Sequence, residues 1–437
     1  MKPSICTVAL ATALALACTP RVARGQSDAF TRFAAARAIP LRTIEPVSDA
    51  SDLAPIHGLI GSARVVAIGE PTHGAHEPLA LRNRLVQYLV EHEGFTAVGI
   101  ESGFAESRSV ARYVAGGAGD AATVARDGLT WGFGKFAENA ALIEWLHAWN
   151  ADPKHSRKVH FYGFDLSGAA NGAFPNARRS VDSALAYLAR ADSGAARTAH
   201  ESLDPLLAKF STYTYASLSP DDRTRLGAGL AQVASDLRSA QRKLVEVGSD
   251  EEYAWMLHCV IVAQQVKRMF DVAPPPSPSP DIPPDAWLES QARDSGMAEN
   301  VRWALEREGA GGRLVIFAHN GHVMNSTTEG GIWSAFKQPP TAMGKYLRSA
   351  LGRDLLIIGG TSGVTSTAKS AADVDDALAR AGVPRFMLDL RIATGDAQVW
   401  LSRRHTIRAN ETTVQIVNPR AAFDLLYYVD RLTASRE

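Results

Sequence analysis

Apolar residues in this chain fall in short unbroken blocks rather than in alternation, and stretches with helical spacing separate the blocks. The blocks are Arg64–Gly69, Thr96–Glu101, Lys158–Asp165, Arg313–His319 and Asp354–Gly360, with later ones at Phe386–Leu390, Ala397–Leu401 and Leu425–Val429. A run of this length, rich in Val and Ile and closed by a glycine or a turn residue, predicts a strand buried on both faces. Between the first two blocks, Leu79, Arg82, Leu85-Val86 and Leu89-Val90 share one stripe, which predicts an amphipathic helix. Doubly buried strands joined by helices predict an α/β fold, a mostly parallel central sheet flanked by helices.

From Asn176 to Asp271 the pattern changes to long Ala/Leu/Arg/Lys-rich helical stretches without a strand-like block. This predicts a helical insertion, residues 176–271, capping one edge of the sheet within a catalytic domain that spans 30–437. A loop follows at 273–285, where Ala273-Pro274-Pro275-Pro276-Ser277-Pro278-Ser279-Pro280 is too rich in proline for helix or sheet.

The first residues read differently. Lys2 precedes an apolar run from Ile5 to Ala17, too short to span a bilayer and without a polar face, which predicts a secretory signal peptide over 1–17. Ala15-Leu16-Ala17-Cys18 also loosely resembles a bacterial lipobox, and lipidation at Cys18 would then be the one tie to a membrane. In either case the protein is expected outside the cytoplasm: periplasmic, secreted or lipid-anchored. Lys+Arg and Asp+Glu number 46 each, so charge offers no case for a nucleic-acid partner. With Cys6 and Cys18 in the leader, Cys259 stands alone in an apolar pattern and is expected to be a buried thiol rather than a nucleophile.

Chemistry gathers where the blocks end. The first leads into Gly69-Glu70-Pro71-Thr72-His73-Gly74-Ala75-His76-Glu77, the second ends at Glu101 and the third at Asp165. The fourth runs into Ala318-His319-Asn320-Gly321-His322. Ligands of open α/β sheets bind beyond the carboxyl ends of the strands, so these residues predict one polar pocket. His73, His319 and His322 sit in Gly/Asn turns rather than on apolar faces. Glu70 could instead cap the following helix, Asp165 could be a turn residue, and capping accounts for His76 and Glu77. Asp165 and His76 are nonetheless candidate substrate-binding residues. Arg82, among leucines, calls for a carboxylate partner, with Glu70 or Glu101 the natural one. The chain has no Gly-x-Ser-x-Gly elbow, no paired-Cys or His-Glu-x-x-His metal motif and no phosphate-binding glycine loop. Water, activated by a histidine or a metal, is then the expected nucleophile.

These residues resemble the erythromycin esterase family. The resemblance rests on Gly69, Glu70, His73, Glu77 and Arg82, on Gly94-Phe95-Thr96 and on Glu101-Ser102-Gly103-Phe104-Ala105-Glu106. It continues through Trp131, Glu138, Trp145-Leu146, Asn150, Tyr162-Gly163-Phe164-Asp165, Arg293-Asp294, Met297-Ala298-Glu299-Asn300, Ala318-His319-Asn320-Gly321-His322 and Met343-Gly344. It implies a hydrolase that opens a macrolide lactone, or a related small-molecule ester, without a serine or cysteine nucleophile and without a cofactor. His73 would be the general base, with Glu70 or Glu101 orienting its ring. His319 would polarise the ester carbonyl, with support from His322. Arg82 would hold the carboxylates or assist the oxyanion. Two alternatives stand beside it. The same His and carboxylate set could hold zinc or manganese in a metal-dependent hydrolase of another exported substrate, or the protein could bind a small molecule or metal ion without turnover.

Overall fold

A computed structural model of the chain describes residues 19–166, 177–274, 281–365, 372–410 and 412–436. The expected signal peptide and Cys18 lie outside the described residues, as do Asn176 and the central prolines of the 273–285 loop.

The strands are β1 (Ile39–Pro40), β2 (Val65–Glu70), β3 (Ala97–Gly103), β4 (His160–Asp165), β5 (Leu314–His319), β6 (Leu355–Thr365), β7 (Arg385–Asp389), β8 (His405–Arg408), β9 (Val414–Val417) and β10 (Leu425–Leu432). Eight of them form one sheet in the order β1-β7-β10-β6-β2-β5-β3-β4. From β10 to β4 every pairing is parallel, while β7 and β1 close one side antiparallel. β8 and β9 make a separate hairpin.

The unbroken apolar runs have a direct cause. Val65, Ala67, Leu314 and Ile316 face one buried layer, whereas Val66, Ile68, Val315 and Phe317 face the other. Each large side chain so buried contributes about 1.5–3 kcal/mol, so neither face can be polar. Helix α1 (His76–Glu93) covers the second layer with Leu79, Leu85 and Leu89. The first layer takes Met297, Val301 and Leu305 from a later helix, Trp287–Arg307.

The insertion is helical, as expected: Arg178–Leu188, Ser193–Leu207, Pro220–Ser239, Gln241–Val247 and Asp250–Val272. It has an apolar cluster of its own, built on residues such as Leu203, Leu230, Val260 and Phe270. Cys259, in the last of these helices, is 1% exposed, and burial pushes its thiol pKa up, which makes it inert. We label that last helix α2 (Asp250–Val272) and the one after it α3 (Trp287–Arg307).

One expected strand is corrected. Ala397–Leu401 belongs to a helix, Gly395–Leu401, in which Ala397, Trp400 and Leu401 are buried at helical spacing. Five residues hold too few positions to separate that stripe from a strand. Strands β1, β8 and β9 were not anticipated by the block pattern; each is two to four residues long and only partly buried.

Candidate active site

Four parallel strands deliver the candidate residues to one edge. Glu70 at the end of β2 lies in register with His319 at the end of β5. Glu101 follows Ile100 of β3, the partner of Phe317 in β5, and a register shift between Ile100 and Gly103 sets Gly103 opposite Asp165 of β4. Asn320, fully buried, exchanges two hydrogen bonds with the Gly360 backbone at 2.7 and 2.9 Å, which ties the turn after β5 to β6. Gly69 must be glycine here, because a Cβ would collide with the Asn320 amide.

Among the described residues His73 is held at one nitrogen only. Nδ1 lies 2.6 Å from Glu70 Oε1, and 42% of the side-chain surface stays accessible. Its ring centre is 5.1 Å from that of His319 and 5.1 Å from that of Phe133, so the ring is walled closely on the protein side and open on the other. Burial works against its charge, but the Glu70 carboxylate, with Glu101 behind it, raises its pKa above the ordinary value. Burial likewise raises the pKa of Glu70, against the pull of His73. A carboxylate on one imidazole nitrogen fixes the tautomer and leaves the other nitrogen free to take a proton.

His319 is the opposite case. It is buried, its Nε2 donates to the Ala409 carbonyl at 2.5 Å, and its Nδ1 accepts the Gly321 N–H at 3.0 Å. Burial and the nearby His73 hold its pKa down to about 3, so the ring is neutral with both nitrogens engaged. His322 is a cation. Its Nδ1 lies 2.9 Å from Asp294 and its Nε2 3.4 Å from Glu101, and these carboxylates overcome burial to push its pKa up to about 10.

Arg293, on α3, ties the carboxylates together. Its Nε and Nη2 grip Asp165 at 3.0 and 2.6 Å, and Nη2 reaches Glu101 at 3.1 Å. Glu101 also accepts the His319 backbone N–H at 2.9 Å. Burial would raise its pKa, yet His322, His73 and Arg293 keep it well below the usual range. Trp131 completes the set: its indole donates to Asp165 at 2.8 Å and its ring lies 5.1 Å from the Arg293 guanidinium carbon. Trp131 alone among the described non-glycine residues has positive φ, at 60°. A bulky residue in that region costs of order 1–3 kcal/mol, which the contacts to Asp165 and Arg293 offset.

Above this floor opens a cleft of about 360 Å³, walled by Trp131, Met269, Glu289, Arg293, His322 and Trp333, among others. Base, carboxylates and fixed cations thus converge from separate strands and from α3. The family model for erythromycin esterase matches residues 90–432. The chain belongs to the erythromycin esterase family.

Among relatives, the erythromycin esterase type II of Escherichia coli is 25% identical over 356 residues, 77% of this chain and 78% of that one. A Bacillus cereus protein of known crystal structure shares the fold, with a TM-score of 0.77 and 24% identity over 94% of this chain and 98% of its own. A mutant of the erythromycin esterase EreC in its open conformation aligns with a TM-score of 0.65 and 17% identity, over 90% and 97% of the two chains.

Within this family frame the structure brings Glu70, His73, Glu101, His319 and His322 together, and it gives four residues contacts that the sequence did not anticipate. Arg82 is fully buried. It donates to Asn83 at 2.9 Å and Asn139 at 2.8 Å and stands 4.7 Å from the centre of the Phe317 ring, and it makes no ion pair with Glu70 or Glu101 among the described residues. Burial lowers its pKa to about 10, so it acts on Glu70 from behind and at longer range. Asp165, 0% exposed, accepts hydrogen bonds from Arg293, Trp131 and the Leu166 N–H. His76 is pinned between Glu138 at 2.6 Å and Glu45 at 2.8 Å, so neither nitrogen is free. His319 has no free N–H in this arrangement, since the one it carries is given to Ala409.

For a metal, the donor set fits poorly. Among the described residues no group of three or more His, Cys, Asp or Glu side chains is disposed to hold an ion. Both nitrogens of His319 are engaged, and those of His322 face Asp294 on one side and Glu101 and Arg293 on the other. Arg293, Asp294 and Trp131 join the cluster through their contacts, and the sequence assigned them no role. The available signal was an Arg-Asp pair in the middle of a helix whose neighbours Met297 and Val301 are core.

Proposed function

We propose that this protein hydrolyses a carboxylic ester of the macrolide-lactone kind with a water molecule activated by His73. The observation that carries the reading is the asymmetry of that ring: one nitrogen sits on a buried carboxylate, and the other has no hydrogen-bond partner among the described residues. The side chain is 42% accessible, and its ring centre is 5.1 Å from that of His319 on the cleft wall. Water approaches the free nitrogen, which takes its proton as the oxygen attacks the ester carbonyl. The carbonyl oxygen gains negative charge opposite Arg293 and His322, cations fixed before the substrate arrives. Collapse of the tetrahedral adduct breaks the bond to the alkoxy oxygen, which recovers the proton from His73. The products are a carboxylic acid and an alcohol, joined in one chain if the ester was cyclic.

The poor donor set supports a reaction in which no bound metal takes part, and the leader residues support export. The experiment is to incubate the metal-stripped mature protein with erythromycin and follow the mass gain of one water. Turnover that is unchanged by added zinc or manganese and lost in His73→Ala supports the reading. Turnover only with metal, or ligand binding with no turnover of any ester, would replace it with the metal-dependent or the binding alternative.

A further inference from the structure

The cleft contains a group that this chemistry does not use. Glu289 stands in the first turn of α3 and on the cleft wall, yet it forms no hydrogen bond or ion pair among the described residues. Arg293, one turn further along the same helix, is already committed to Asp165 and Glu101. The wall that Glu289 shares carries Trp131, Met269, Trp333 and Pro340 on one hand and the polar Ser290, Asp294, His322 and Thr328 on the other. Burial raises the pKa of its carboxyl, and Arg293 opposes this only at a distance. The helix dipole favours a negative charge in a first turn, which keeps the carboxylate available without giving it a partner.

A partly desolvated carboxylate on a wall that also carries two tryptophans is costly unless the ligand brings the opposite charge. The same surroundings suit an alkylammonium group, which a carboxylate attracts by charge and an indole face by its quadrupole. We infer that Glu289 is the counter-charge for a protonated amine carried by the substrate and so determines specificity. Residues four apart on a helix have β carbons about 5–6 Å apart, so the amine would dock one turn from Arg293 and the reacting carbonyl. The inference rests on the esterase reading for the reacting group; the cation site itself does not need turnover.

Two isosteric esters test it: 2-(dimethylamino)ethyl benzoate, which carries the amine, and 3-methylbutyl benzoate, which does not. The expected result is a preference of about tenfold in kcat/KM for the amine ester, expressed in KM. That ratio falls to about one in Glu289→Gln and is partly restored in Glu289→Asp. No preference in the wild type, or the same preference in Glu289→Gln, overturns the assignment. If the wild type cleaves neither ester, the esterase reading fails with these substrates and binding decides the matter alone. Tryptophan fluorescence titrated with benzyltrimethylammonium should then show binding that Glu289→Gln loses, and equal binding by both proteins overturns the assignment.

Discussion

The two histidine turns use the same residue types to opposite ends. In the turn after β2, His73 has one hydrogen bond, a partly accessible ring and a raised pKa. In the turn after β5, the nitrogens of His319 and His322 all face a partner, one ring locked neutral and the other locked charged. A base must be able to gain and lose its proton during the reaction, whereas a charge that stabilises an oxyanion must not. The number of bonds to each ring, more than its identity, separates the two roles.

The sharpest way to break this contrast is His73→Ala. Removing a positioned general base costs about 10²–10⁴ in rate, and kcat/KM should fall by that much with the melting temperature little changed. Arg293→Met tests the locked side. It strands the buried Asp165 and Glu101 charges, and urea unfolding should report a loss of about 3–5 kcal/mol. Retained stability there would mean that the network is not what holds the second turn.

Glu70→Gln is an intermediate case. The base stays, but without the carboxylate that raises its pKa, so the acid limb of the kcat/KM profile should move to lower pH. A rate loss of about tenfold to a hundredfold should accompany it. An unmoved limb would assign that titration to another group. The smallest effect is expected for His76→Gln, outside the cleft and between Glu45 and Glu138. Its pKa is raised by those two carboxylates against burial, so its contribution is complete below the ordinary histidine value and disappears as pH rises through the folded one. The variant should lose about 0.5–1 kcal/mol at pH 6, less at pH 9, and keep its turnover.

Legibility in the sequence followed chain distance. The β2 and β5 blocks are readable because burial on both faces forces continuous apolar residues, and the Glu70–His73 pair because it spans three residues. Arg293 was not readable as a site residue. Its partners lie 128 and 192 residues away, and only the folded sheet makes them neighbours. The same limit explains Arg82, for which a carboxylate was the reasonable guess and two asparagine amides are the answer. Ala409, whose carbonyl takes the His319 N–H, belongs to the unanticipated β8–β9 hairpin region and carries no side-chain signal at all.

The separate core of the helical insertion has an evolutionary consequence. Its cluster is filled almost wholly from within residues 177–270, with Leu166 at the end of β4 as a point of attachment, and Met269 is its contribution to the cleft wall. A roof that stabilises itself can drift, lengthen or be exchanged at its seams while the strand ends beneath keep their geometry. Lineages that share this sheet can therefore diverge in what they admit far faster than in how they react with it.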